Sequence, residues 1–166
     1  MASAKLEIEA LLAESEREVT RYAWDGTFAD YLRMVRDDPI VSRLSHKLVY
    51  DAVVAQGVTQ LPTGEPEYAL FEGEIFGMDT ALRNIVHYFS SAAQRLEIRK
   101  RILLLLGPPA SGKSSVVALL KGALESYTRS DEGAVYGIKG CPMLEEPLHL
   151  IPHELRGKIL DDHGIY

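Results

Sequence analysis

The chain has 166 residues, of which 46% are hydrophobic and 25% charged, a composition typical of a folded domain rather than a disordered segment. Its formal charge of −6 argues against overall attraction to nucleic acid or to an anionic membrane. A single cysteine excludes an internal disulfide framework, and the longest apolar run, residues 102–106, is too short to span a bilayer. Acidic residues stand where a signal peptide would be apolar, so we expect a cytoplasmic protein.

Three helices are predicted in the first third of the chain. Residues 4–21 carry a narrow apolar stripe, which is typical of a helix that packs on a partner or on the rest of the protein. Thr27 is a candidate N-cap for a second helix over residues 28–36, and Ser42 is one for a third over residues 43–55. Together these helices predict an N-terminal helical region, residues 1–56.

A glycine- and proline-rich stretch over residues 57–73 predicts a linker loop, after which residues 74–166 form a second domain. Apolar residues at helical spacing predict a long helix over about residues 79–97. The apolar run 102–106 lies between charges and a glycine, which predicts a strand buried on both faces, as in parallel sheets. Further predicted elements are a helix over 112–127, a strand over 134–138, a proline-rich turn over 141–152 and a helix from His153. The fold class is α/β, a partial parallel sheet flanked by helices.

Residues 107–114, GPPASGKS, fit the pattern G-x-x-x-x-G-K-[ST] between the predicted strand and helix, the context in which this pattern binds nucleotide phosphates. Gly107 lets the chain turn sharply, and Gly112 lets the backbone approach a phosphate. Lys113 supplies a cation for the β- and γ-phosphates, and the Ser114 hydroxyl supplies a ligand for Mg²⁺. Amides at the start of the helix complete an anion nest. The predicted phosphate-binding residues are Gly107, Pro108, Pro109, Ala110, Ser111, Gly112, Lys113, Ser114 and Ser115.

Ile75, Phe76 and Gly77 precede the long helix and allow two interpretations. Taken alone, an apolar pair followed by glycine is most often the turn that leads into a helix. Beside a phosphate-binding loop, the same three residues are predicted instead to form a flat apolar slot for adenine.

The remaining polar residues do not complete a catalytic site. Glu145, Glu146 and His149 are adjacent, but glutamates in a proline-bounded loop are more often solvated, and no second histidine stands at ligand spacing. Phosphoryl transfer also needs an acidic residue for the metal shell, commonly at the end of a second apolar strand. No such strand follows Ser114, so the sequence predicts nucleotide binding and leaves the catalytic residues unknown.

Two further segments resemble a known family. Residues 131–143, DEGAVYGIKGCPM, followed by residues 145–152, EEPLHLIP, are similar to the bacterial PrkA serine protein kinase family. The likeness extends back through the phosphate-binding loop to SAAQRLE at 91–97, IFGMD at 75–79 and GTF at 26–28. It covers the chain from about residue 14 to its end.

The resemblance implies an AAA+ ATPase module at the N-terminus of a longer protein, with a truncated P-loop domain that takes ATP and Mg²⁺. In this family a C-terminal region is similar to protein kinases, and neither that region nor the Walker B acid, sensor residues and arginine finger lie within this sequence. We therefore expect the ATP-binding portion of a PrkA-like serine protein kinase that is not catalytically complete. A protein substrate or partner is expected, and exposed sheet edges favour self-association.

Three alternatives stay open. The first is the AAA+ module of a Lon-like ATP-dependent protease. The second is a non-enzymatic module in which a nucleotide is only a ligand. A small phosphotransferase acting on a metabolite is less favoured, because it needs the missing strand that ends in an acid.

Overall fold

The computed structural model describes residues 8, 24–94, 100–109 and 111–162, and of residues 160–162 it describes the backbone alone. The chain divides into two units, Pro39–Tyr136 and a second that joins Met1–Asp38 to Gly137–Tyr166. The predicted helix over residues 4–21 lies outside the described residues, apart from the exposed Ile8. The domain boundaries proposed from the sequence stay predictions. Among the described residues, no helix is both long enough and apolar enough to cross a membrane.

Helices dominate the described residues. The helices are α1 (Phe28–Asp37), α2 (Ser45–Ala55), α3 (Asp79–Ala93), α4 (Lys113–Tyr127) and α5 (His153–Asp162). Strands β1 (Val58–Gln60) and β2 (Pro66–Tyr68) pair antiparallel, with Val58 opposite Tyr68 and Gln60 opposite Pro66. Short 3-10 turns occupy Pro39–Ser42, Ala69–Phe71 and Pro147–Leu150.

The two predicted N-caps have different outcomes. Thr27 caps α1 as predicted: its hydroxyl accepts the Asp30 N–H at 3.3 Å, and the Asp30 carboxylate accepts the Thr27 N–H at 3.0 Å. This reciprocal pair satisfies two backbone donors at the start of the helix. Ser42 was the wrong residue for α2, because its hydroxyl donates instead to the Pro39 carbonyl within a 3-10 turn. Helix α2 begins at Ser45, after Leu44, without a side-chain cap.

The core of the unit Pro39–Tyr136 forms where α3 and α4 each pack on α2. Leu82, Ile85 and Val86 are buried on α3, which confirms the apolar face predicted for that helix. Helix α3 ends at Ala93, earlier than predicted, and residues 95–99 lie outside the described part of the chain. The buried members of this core are Val53, Phe71, Leu82, Ile85, Val86 and Val116.

The apolar run 102–106 is not a strand with two buried faces, and that prediction was wrong. Ile102, Leu104 and Leu106 are 91%, 70% and 83% exposed, whereas the alternate residues Leu103 and Leu105 pack against the core. Alternation of this kind is typical of a segment covered on one side only. No other part of the described chain lies alongside the run as a sheet neighbour, and its exposed alternate side chains leave the second face open to solvent.

The sheet lies where the sequence predicted a linker. Within residues 57–73 the hairpin β1–β2 closes through a turn in which the Leu61 N–H donates to the Glu65 carbonyl at 2.9 Å. Residues 134–138, predicted as a strand, form none. The fold therefore mixes helices and strands as predicted, but the described residues form no parallel sheet.

The second unit has its own small core, built from α1 and the turn Pro147–Leu150. Tyr31, Val35 and Leu148 are each at most 1% exposed. The Tyr31 hydroxyl donates to the Glu146 carboxylate at 2.6 Å across 115 residues of sequence. Helix α5 then begins at His153, as predicted.

Candidate functional site

The phosphate-binding loop runs directly into α4, as the sequence predicts. Gly112 is the N-cap of that helix, with φ of +76° and ψ of 0°, a left-handed conformation that glycine adopts without strain. Its carbonyl accepts the Val116 N–H at 2.9 Å, and no side chain caps the helix. The N–H groups of the first turn thus form the end of the helix that carries partial positive charge, and such an end attracts an anion.

The two glycines of the motif have different surroundings, and only Gly112 has the positive φ that side chains rarely adopt. A Cβ added at Gly107 would lie 2.8 Å from the Ser111 hydroxyl oxygen and 3.8 Å from Lys113 Nζ. One added at Gly112 would meet Met78 Sδ at 3.4 Å. A side chain at Gly107 would thus crowd Ser111, and one at Gly112 would be strained by the backbone conformation.

Lys113 folds back into the loop. Its ammonium donates to the Gly107 carbonyl at 2.9 Å, to the Pro108 carbonyl at 2.6 Å and to the Ser111 hydroxyl at 2.9 Å. The cation is thus held against the backbone of the loop that precedes α4. Pro108 and Pro109 are exposed, and Ala110 lies outside the described residues.

Ser114 and Ser115 follow on the first turn of α4, and both are exposed. Within the described residues the Ser114 hydroxyl makes no hydrogen bond, so it is available as an oxygen ligand. Hydroxyl and phosphate oxygens together form the hard ligand set that Mg²⁺ prefers. The donor set of this loop therefore fits a magnesium–nucleotide complex.

The predicted adenine slot borders a cleft of about 820 Å³. Phe76 is 81% exposed, whereas Ile75 packs against the core and Gly77 has a φ of +71°. Met78, the next residue, lines this cleft and also lies against Gly112, so it joins the cleft to the phosphate-binding loop. Met78 thus lies next to both predicted parts of the site, although no described residue of the loop 107–114 lines the cleft.

The far wall of the cleft comes from residues that sequence reasoning missed. Tyr68 and Phe71 line it from the end of β2 and the turn that follows. Burial, and to a lesser extent the neighbouring Tyr50, raises the pKa of Tyr68 above its ordinary value. Arg83 of α3 is paired with Glu65 at 3.0 Å. Only the folding of the hairpin onto α3 brings these residues to the cleft, and the sequence carried no periodic signal for that hairpin.

Glu146 is not solvated as expected. Its carboxylate accepts the Tyr31 hydroxyl at 2.6 Å and caps the turn Pro147–Leu150 by accepting the Leu148 N–H at 2.9 Å. It is thus occupied in holding its own unit together. No cluster of three or more candidate metal ligands occurs in the described part of the chain.

A glycine-bounded loop that leads into a helix, with a lysine and a serine at the helix start, matches the sequence pattern of a P-loop. A family model described as "PrkA AAA domain" matches residues 26–166, and the chain belongs to that family.

The chain is 45% identical over 161 residues to "ATP-dependent protease PrkA" of Bacillus subtilis (strain 168), which covers 96% of this chain and 25% of that protein. It is 48% identical over 102 residues to "Serine/threonine kinase YeaG" of Escherichia coli (strain K12), covering 59% of this chain and 15% of that protein. A Geobacillus stearothermophilus protein, "Uncharacterized protein in gldA 5'region", is 41% identical over 91 residues, covering 54% of this chain and 93% of that protein. This chain thus spans about a quarter of the length of the Bacillus relative. No solved structure matches the chain significantly.

Proposed function

We propose that this chain is the ATP-binding N-terminal portion of a PrkA-like AAA+ ATPase and serine protein kinase. The observation that carries the proposal is the loop 107–114, which leads into the uncapped start of α4 and holds the Lys113 ammonium beside it. Membership of the PrkA AAA domain family supports a nucleotide as the ligand.

Each part of the ligand has a counterpart in the site. The amides at the start of α4 bind phosphate oxygens, and the Lys113 ammonium balances their charge. The Ser114 hydroxyl is a ligand for Mg²⁺, which supplies charge neutralisation of the phosphates when it is bound. Phe76 offers an exposed aromatic face at the edge of the cleft, where adenine stacks.

Calorimetric titration of the chain with magnesium and ATP tests the proposal. We expect Lys113→Ala to weaken binding by about tenfold or more, because a hydrogen bond to a charged group is lost. Lys121→Ala is the matched control, since Lys121 is an exposed lysine on the same helix and lies outside the loop. Well-folded protein that shows no heat of binding at millimolar ATP would contradict the proposal.

The adenine slot is tested separately. Phe76→Ala removes the exposed ring and should weaken ATP binding while leaving the affinity for inorganic tripolyphosphate unchanged, since only the base contacts this residue. If Phe76→Ala leaves the ATP affinity unchanged while Lys113→Ala abolishes binding, the base binds elsewhere.

The protease alternative is supported by the name of the Bacillus relative, and the kinase alternative by the name of the Escherichia relative. Incubation of the full-length protein with γ-labelled ATP and casein distinguishes them. Label on casein serines supports the kinase, whereas ATP-dependent release of casein peptides supports the protease.

We also propose that the chain self-associates through the exposed side chains of Ile102, Leu104 and Leu106, which are called the open row below. The backbone groups of residues 102–106 make no hydrogen bond to the described residues, so they are available to a strand from a second copy. Lys100 and Arg101 precede the row. Parallel in-register pairing would place like charges opposite each other, and antiparallel pairing separates them.

A further inference from the structure

The Lys113 ammonium has no donor to spare in this structure. An ammonium group carries three N–H donors. All three are used within the loop, on two backbone carbonyls and on the Ser111 hydroxyl. A phosphate that binds to Lys113 must therefore replace at least one of these acceptors.

The three acceptors differ in how easily they are replaced. The carbonyls of Gly107 and Pro108 are fixed by the turn of the backbone. The Ser111 hydroxyl stands on a side chain that changes rotamer about a single bond. A phosphate oxygen is also anionic and accepts from an ammonium more strongly than a neutral hydroxyl does. The Lys113–Ser111 bond is thus the one that a phosphate most readily displaces.

We propose that Ser111 is a positioning residue that holds Lys113 in a self-satisfied state and so lowers the affinity of the loop for polyphosphates. This inference rests on the proposed nucleotide binding and adds to it a residue that sets the affinity. The opposite role is physically distinct: a Ser111 hydroxyl that turns and donates to the phosphate would strengthen binding. The two roles predict opposite signs for removal of the hydroxyl.

Ser111→Ala is the direct test, with calorimetric titration of MgATP, tripolyphosphate and adenosine. We expect affinity for MgATP and for tripolyphosphate to rise by about fivefold, the effect of one ordinary hydrogen bond that no longer has to be broken. Affinity for adenosine should stay the same, because adenosine has no phosphate to compete for Lys113. Ser126→Ala removes an exposed hydroxyl from the far end of α4 and should change none of the three affinities.

A double variant distinguishes an effect on the position of Lys113 from a general change in the loop. The Lys113→Ala variant has no ammonium to release. Adding Ser111→Ala to that variant should therefore leave its residual affinity for tripolyphosphate unchanged. Ser111→Gly, which removes the hydroxyl by a different substitution, should act in the same direction as Ser111→Ala. Thermal melting of each variant verifies that it is folded.

The outcomes distinguish this inference from the one on which it rests. If the parent chain binds ATP and Ser111→Ala leaves the affinity unchanged or weakens it, Ser111 does not restrain Lys113 and only the present inference fails. A rise that includes adenosine, or that persists without Lys113, also overturns it. If the folded parent chain binds neither ATP nor tripolyphosphate, the proposed function and this inference fail together.

Discussion

Arg43 makes contacts with three other residues of the unit Pro39–Tyr136 through its guanidinium group. Its side chain is 8% exposed and pairs with Asp51 at 3.3 Å, while its guanidinium lies over the Tyr127 ring at 5.4 Å. It also donates to the Tyr127 hydroxyl and to the Glu132 carbonyl. One side chain thus connects α2 to the end of α4 and to the loop that follows it.

Arg43→Ala should lower the free energy of unfolding by about 3 kcal/mol, because it leaves buried acceptors without their donor. This loss of stability lies at the lower end of the range for breaking a buried ion pair, because Asp51 keeps Lys47 as a partner. Chemical denaturation measures it. Arg36→Ala is the control: its pair with Asp37 is exposed, and a change within about 0.5 kcal/mol is expected. Equal effects of the two substitutions would show that Arg43 makes no special contribution.

Substitution of two glycines by alanine should change the stability of the chain in opposite directions. A Cβ at Gly133 would lie 1.8 Å from the Tyr127 carbonyl oxygen, whereas one at Gly122 meets nothing within 4 Å. Gly133→Ala should therefore destabilise the chain by at least about 2 kcal/mol, because the backbone must move. Gly122→Ala should stabilise it by about 0.5 to 1 kcal/mol, since Gly122 lies in the interior of α4. Thermal melting of both variants checks the signs, and a stable Gly133→Ala protein would contradict the close contact.

Local patterns identified Thr27 correctly and Ser42 wrongly, whereas residues that act across the chain gave no signal at all. Thr27 was identified as an N-cap because its partner Asp30 is three positions away. Arg43 gave no signal, because its partners Tyr127 and Glu132 are 84 and 89 residues away. Met78 also went unnoticed, since only the folded chain brings it against Gly112.

At the scale of elements, the periodicity of apolar residues predicted the helices of the described chain but not its strands. Helix α3 repeats apolar residues on one face, and its predicted face is the buried one. The run 102–106 is apolar at every position, so its composition does not show which face is covered. The hairpin β1–β2 has strands of three residues with an exposed Val58, too short and too polar to stand out beside its glycines and prolines.

The open row of residues 102–106 makes self-association testable at this scale. Leu104→Lys places a charge in the centre of the row, where antiparallel pairing brings the two copies of Leu104 together. We expect it to raise the dissociation constant by about tenfold or more, because the contact between the two leucines is lost and two like charges lie directly opposite each other. Sedimentation equilibrium over a range of concentrations measures the change.

Leu155→Lys is the matched control, since Leu155 is a 49% exposed leucine on α5, outside the row. It should leave the dissociation constant within about twofold of the parent value. Association that is equally sensitive to both substitutions, or insensitive to Leu104→Lys, would place the contact elsewhere.

At the scale of the whole molecule, the chain order and the folded units do not coincide. The unit that contains α1 is completed by residues that follow Tyr136, through the bond from Tyr31 to Glu146. A linear division into an N-terminal region and a later domain has no means of detecting such a return of the chain. The candidate site was predictable in spite of this, because the phosphate-binding loop is a continuous stretch of sequence.

All described parts of the candidate site, the loop 107–114 and the cleft beside Phe76, belong to the unit Pro39–Tyr136. Leu148 is fully buried in the other unit. Leu148→Ala should destabilise its own unit by about 2 to 5 kcal/mol through the cavity it leaves, and so speed amide hydrogen exchange in α1. Affinity for MgATP should stay within about twofold, because no contact of the loop or of the cleft is removed.

Hydrogen exchange followed by mass spectrometry, together with calorimetry on the same samples, measures both effects. Phe71→Ala provides the opposite case, since Phe71 lines the cleft and is buried in the core of the unit Pro39–Tyr136. It should weaken ATP binding and leave exchange in α1 near the parent rate. A Leu148→Ala protein that loses ATP binding as completely as Lys113→Ala would show that nucleotide binding depends on both units.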